Sequence, residues 1–209
     1  RLQTLFVLVT GAVVFGLTSG RAAMPAFSAE STISSKTGSQ ETGPLVVPID
    51  NQPGQSIACW LETSLARVYP TSPPGERRTL TLVTARNRHV SFQVCLANKG
   101  TFPVDASCSV SGAEGCVVQV RRVGYVPQWH ATTDTPIAEL DGEGYVPGLV
   151  PDPLYPETTA RVGPHENQSF WITITVPAEA SPGVRDLAIR FVLPNGATQA
   201  ELHAKLDVR

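Results

Sequence analysis

Asp134, Glu139, Asp141, Glu143, Asp152 and Glu157 gather between Pro127 and Gln168, beside Trp129, Tyr145 and Tyr155. Glycoside hydrolysis needs two carboxyl groups about 5–10 Å apart around a sugar, one acting as acid and the other as nucleophile or base. Aromatic faces stack on sugar rings, so Trp129, Tyr145 and Tyr155 with Asp152 form a candidate carbohydrate-binding set. The same residues also describe a solvated acidic loop whose aromatics cover the edge of a folded domain. That plainer reading is preferred, since function must be argued from a defined site.

Other chemistry finds no pattern to support it. The sequence holds no G-x-S-x-G, H-E-x-x-H, Walker A or EF-hand motif, and no cofactor is expected. Gly142 and Gly144 have neither a strand before them nor a helix after them, so they form no phosphate cradle. His89, His130, His165 and His203 fall on different expected elements, where surface or turn roles are the default. The four cysteines, Cys59, Cys95, Cys108 and Cys116, lack zinc-ligand spacing. Cys108 and Cys116 flank Ser111–Gly115, a hairpin-like turn that would let them face each other as a disulfide, leaving Cys59 with Cys95. Free buried thiols are the alternative, and four cysteines allow three pairings that sequence does not choose among. Asn167-Gln168-Ser169 is a formal glycosylation sequon. Asn167 and Gln168 are instead expected to bond loop backbone at a strand entry.

The elements that must position these residues read as strands. Pro 18 and Gly 17 with only 16% charged residues suit short strands joined by turns, not long helices. Val90, Phe92, Val94 and Leu96 alternate with Ser91, Gln93 and Cys95, and Phe170, Ile172, Ile174 and Val176 alternate with Trp171, Thr173 and Thr175. Leu187, Ile189, Phe191 and Leu193 lead to Pro194-Asn195-Gly196, a hairpin signal. After it Ala200, Leu202, Ala204, Leu206 and Val208 point one way and charged residues the other. Segment 57–69 fits a helix or a strand, and 127–168, broken by seven prolines, shows no period. The expected fold is all-β, an antiparallel β-sandwich of immunoglobulin-like or jelly-roll-like kind spanning 45–209.

Ahead of the sandwich, Arg1 precedes an apolar run from Leu5 to Leu17 and then small residues. A basic start, a short apolar core and a small-residue end are the parts of a secretory signal, assigned to 1–24. The core is shorter than the roughly 20 apolar residues of a membrane span, so no permanent span is expected. Residues 25–44, rich in Ser, Thr and Gly, read as a flexible linker. The protein is therefore expected to be secreted or periplasmic. A net charge of -2 and a pI near 6.1 give no electrostatic case for nucleic acid.

Several phrases combine into a resemblance. Thr84-Ala85-Arg86-Asn87-Arg88-His89-Val90-Ser91-Phe92-Gln93-Val94 resembles an "A-R-x-E-x-E-S-F-Q" strand, and Val123-Gly124-Tyr125-Val126 a following strand. Pro151-Asp152-Pro153-Leu154-Tyr155-Pro156 resembles a "P-D-P-L-x-P" loop, and Glu166-Asn167-Gln168-Ser169-Phe170-Trp171 an "E-N-Q-x-x-W" strand entry. Val176-Pro177-Ala178-Glu179-Ala180-Ser181-Pro182-Gly183 resembles a "V-P-x-D-A-x-P-G-x-Y" turn. Together these phrases are similar to the N-terminal β-sandwich domain of glycoside hydrolase family 123-like proteins, over residues 57–209. Arg88-His89 and Arg185-Asp186 depart from the pattern, standing where acidic residues and an aromatic with Gly are usual.

The resemblance implies a sandwich placed before a catalytic (β/α)8 barrel of β-N-acetylgalactosaminidase type, whose Asp-Glu pair has no counterpart in these 209 residues. It also makes Asn167, Gln168 and Trp171 structural motif residues and gives the chain no catalytic residue. The expected partner is a C-terminal catalytic domain of the same polypeptide, beginning after Arg209. The alternative is a stand-alone exported carbohydrate-binding module using the aromatic loop 127–168.

Overall fold

The computed structural model describes residues 43–131, 134, 136, 144–193, 196 and 199–209. The expected leader 1–24 and the linker up to residue 42 lie outside the described residues, as do Glu139, Asp141 and Glu143. Among the described residues there are strands and no helix, so none is long and apolar enough to cross a membrane. The strands are β1 (Leu45–Pro48), β2 (Ser56–Thr63), β3 (Thr79–Thr84), β4 (Arg88–Asn98), β5 (Val104–Ser111) and β6 (Val117–Gln128). They continue with β7 (Gly148–Tyr155), β8 (Thr159–Val162), β9 (Asn167–Val176), β10 (Gly183–Val192) and β11 (Gln199–Val208).

Two sheets form the sandwich. One has the order β1-β2-β4-β9-β6-β7, and the other β3-β11-β10-β5-β8. All pairs are antiparallel except β3 with β11, which run parallel, so the second sheet is mixed. The inner faces meet where alternation is cleanest. Phe92, Phe170, Ile172 and Ile174 from the first sheet pack with Leu187, Ile189, Phe191 and Leu206 from the second. The Phe170 and Phe191 rings sit 5.8 Å apart at 55° and tie the two layers. Each such side chain contributes about 1.5–3 kcal/mol by leaving water.

Three sequence expectations change. Segment 57–69 resolves as β2 followed by irregular chain. The stretch 127–168 contains β7 and β8, both at sheet edges. Edge strands tolerate proline because one row of their amides needs no partner, so Pro151 and Pro153 sit within β7 and hide its period. Ser111–Gly115 does not close a hairpin, for β5 lies in the second sheet and β6 in the first. By contrast β10 and β11 pair directly, with the Gly196 amide donating to the Leu193 carbonyl at 2.8 Å in their turn.

The β2–β4 part of the first sheet's outer face is not left to solvent. Trp60, 1% exposed, forms a second apolar cluster with Ala58, Cys95, Ala97 and Val68. Val68 comes from the long connection between β2 and β3, which folds back over the sheet. Gly75 allows that approach: a Cβ there would lie 2.5 Å from both the Trp60 ring and Glu62 Oε1. The Leu61 amide donates to the Arg77 carbonyl at 2.7 Å, and Arg77 pairs with Glu62 at 3.0 Å.

Candidate functional site

Buried amides fasten the irregular chain to the sheets. Gln93 Nε2 donates to the carbonyls of Thr63 (3.1 Å) and Ala66 (2.7 Å) on the outer face. Asn167 Nδ2 donates to the Tyr69 carbonyl at 3.1 Å and the Ser72 carbonyl at 2.6 Å, while its own amide donates to the Pro70 carbonyl. With its nitrogen buried and so occupied, Asn167 is not presented for glycosylation. Gln168, on the inner face, donates to the carbonyls of Val123 (2.7 Å) and Ser169 (2.8 Å). Asn98, the last residue of β4, donates to the carbonyls of Phe102, Val162 and Gly163, and its Oδ1 accepts from the Gly100 amide. Trp171 is half-buried on β9, opposite Gln93 and Arg121.

The four cysteines are free. Cys108 and Cys116 are not linked, and the reason is topological: the turn between them passes from one sheet to the other instead of returning along a ladder. Cys59 and Cys95 are not linked either. They lie on neighbouring strands but on opposite faces, Cys59 in the central core and Cys95 in the outer cluster. Burial pushes the Cys59, Cys95 and Cys108 thiols well up, Cys108 to about 12. Such thiols stay protonated and are inert as nucleophiles at neutral pH.

The aromatic set of the 127–168 stretch is dispersed. Gln128 pairs with Gly148 and Arg122 with Tyr155, so Trp129 and Tyr155 stand at opposite ends of the β6–β7 ladder. Seven residues of strand separate those ends by about 23 Å. Trp129 is 84% exposed. Tyr145 is stacked on Tyr69, ring centroids 4.3 Å apart at 7°, which takes one of its faces. An open cleft of about 290 Å³ lies beside this stack, over Trp60, Glu62 and Arg67. Asp152 is exposed on β7.

A larger groove, about 550 Å³, opens at the other end, lined from β5 and β8 of the second sheet, β6 and β9 of the first, and the β7–β8 connection. The chain crosses between the sheets at residues 156–158. That crossing is fixed on both sides: the Arg122 amide donates to the Glu157 carbonyl at 2.9 Å, and the Cys108 amide to the Thr158 carbonyl at 2.8 Å. Arg122 Nε also donates to Glu157 Oε2 at 2.6 Å, with its guanidinium 4.8 Å from the centre of the Tyr155 ring. On the facing strands Arg161 and Asp105 approach to 3.7 Å. Each carboxylate of this groove thus has an arginine partner. Among the described residues no group of three or more His, Cys, Asp or Glu could hold a metal ion.

No model of a known family matches the chain, and no curated protein matches it. Solved structures do match its fold. A family 123 glycoside hydrolase from Clostridium perfringens, described as acting on glycolipid glycans, aligns with a TM-score of 0.54 at 12% identity, over 73% of this chain. The chain spans only 27% of that protein's length. A FixG-related protein from Vibrio parahaemolyticus (TM-score 0.36, 8% identity, 59% of this chain and 81% of that one) is more distant. So is a PapD-like domain of human CEP192 (TM-score 0.35, 9% identity, 88% and 98%). At these identities the likeness is one of fold: this chain is a β-sandwich, similar in fold to about a quarter of a glycoside hydrolase.

Proposed function

We propose that this chain is the non-catalytic N-terminal accessory domain of an exported glycoside hydrolase-like protein, packing on and positioning a C-terminal catalytic barrel. The carrying observation is the 0.54 alignment that places most of this chain on a minor share of a family 123 enzyme. The order of the sequence phrases supports the same relation, from the Thr84–Val94 strand through Pro151–Pro156 and Glu166–Trp171 to Val176–Gly183. In this reading the amides of Gln93, Asn98, Asn167 and Gln168 make the sandwich a rigid block. A rigid block can hold a neighbouring domain in one orientation, which loops alone would not. Exposed Val126, Leu149 and Trp129, at the β6–β7 end farther from the groove, give it apolar surface to pack with.

The stand-alone module using the whole aromatic loop is less favoured, because Trp129 and Tyr155 lie too far apart to meet one short glycan and Tyr145 is stacked on Tyr69. The test is hydrolysis of an aryl β-N-acetylgalactosaminide by this chain alone and by the product of its complete reading frame. Turnover by the longer protein only is the expected result. Turnover by this chain alone overturns the non-catalytic reading, and no turnover by either removes the β-N-acetylgalactosaminidase assignment.

A further inference from the structure

We infer that the groove lined by β5 and β8 of one sheet and by β6 and β9 of the other is a binding site for a neutral oligosaccharide. The groove is walled by two opposite-charge pairs, Arg122–Glu157 at 2.6 Å and Arg161–Asp105 at 3.7 Å. Their charges cancel, so the site offers no net attraction for phosphate, sulfate or a carboxylate. What it does offer is a dense set of donors and acceptors, those of Arg122 and Glu157 fixed by their mutual hydrogen bond. A guanidinium carries five N–H donors and a carboxylate about four lone-pair directions, and each ion pair uses only part of these. The remainder matches a ligand rich in adjacent hydroxyls, each both donor and acceptor.

The walls are built rather than incidental. Glu157 is held through its backbone and its side chain by the same residue, Arg122. The inner-face residue Gln168 is fixed by two carbonyls at the groove floor. Tyr155 lies against Gly124, where a Cβ would strike its ring, and keeps 42% of its surface exposed beside Arg122. That ring carries the Arg122 guanidinium and so braces the groove wall from behind, without lining the groove itself. A volume of about 550 Å³ falls within the range of small-molecule sites, roughly 300–1,000 Å³. The site does not depend on the accessory role proposed above, since it is complete within this chain.

The test is calorimetric titration of the full chain with neutral oligosaccharides of two to four hexose or N-acetylhexosamine units. Sialylated and sulfated forms of the same backbones run in parallel. Binding of a neutral oligosaccharide, weakened at least tenfold by Glu157→Gln and by Arg161→Ala and unchanged by Trp129→Ala, is the expected result. Arg161 is 70% exposed, so its loss should leave the fold intact, which an unfolding curve checks. No binding at millimolar concentration, binding of the anionic forms alone, or binding indifferent to both groove variants overturns the inference. These outcomes are separate from those of the hydrolysis assay, so either proposal can fail alone.

Discussion

Replacing Asn167 with Ala should loosen the chain that covers Trp60, and its cost follows from the hydrogen bonds it makes. Asn167 Nδ2 reaches the Tyr69 carbonyl, the Ser72 carbonyl and Ser72 Oγ. The Tyr69 carbonyl keeps two other donors, the Ser72 amide and Ser72 Oγ, so it is not orphaned. The Ser72 carbonyl loses its 2.6 Å partner. An unsatisfied acceptor costs about 1–3 kcal/mol, the lower part of that range for this part-buried carbonyl, and the lost bonds add to it, so the expected loss is about 2–3 kcal/mol. Urea unfolding should show a lower midpoint at unchanged slope, and the melting temperature should fall by roughly 4–12 °C for a domain of this size. Asn167→Asp is isosteric but presents an acceptor to two carbonyls, so it should cost at least as much as Ala. Hydrogen exchange adds a local readout. The Leu61 amide, bonded to the Arg77 carbonyl, should exchange faster than the global loss explains. A loss under about 0.5 kcal/mol, or Asp milder than Ala, would refute the fastening role assigned to this amide.

Three further outcomes are expected. Gly75→Ala forces a Cβ against the Trp60 ring and Glu62, so it should cost about 1–3 kcal/mol and red-shift the Trp60 emission; an unchanged spectrum and midpoint would mean the connection does not press on that ring. Phe191→Ala should cost about 3–5 kcal/mol in urea unfolding, because it leaves a cavity against Phe170 between the sheets. The buried thiols bind their protons more tightly folded than unfolded, so their contribution is fully present below the ordinary thiol range, about 8.5, and is lost as pH rises toward the folded values. Stability should therefore fall from pH 9 upward, and Cys108→Ala should flatten that fall by up to about 1.4 kcal/mol per pH unit, the share of one thiol; an unaltered slope would show that Cys108 is accessible to solvent.

The sandwich was readable where a strand has a buried face. β9, β10 and β11 alternate cleanly, and each lies between two neighbours in its sheet. β7 and β8 were not readable, since edge strands need neither a continuous apolar face nor every amide. The turn at Ser111–Gly115 shows a second limit. Turn residues mark a reversal of the chain but not whether it returns to the same sheet, so they could not choose between a Cys108–Cys116 pair and free thiols. The groove was invisible for a related reason. Glu157 stood out with Tyr155 in the sequence, but Asp105, Arg122 and Arg161 come from three other strands, which only the fold brings together. The signal that was present lay in the amides, for Asn167 and Gln168 stood at a strand entry where backbone partners were expected.

The coding sequence that follows the Arg209 codon tests the accessory role most directly. The account predicts an open frame running on through alternating strand and helix patterns for about 250 residues, the length of a (β/α)8 barrel, with a neighbouring Asp-Glu pair after a strand. A stop codon directly after Arg209, or a continuation without that alternation, would contradict it.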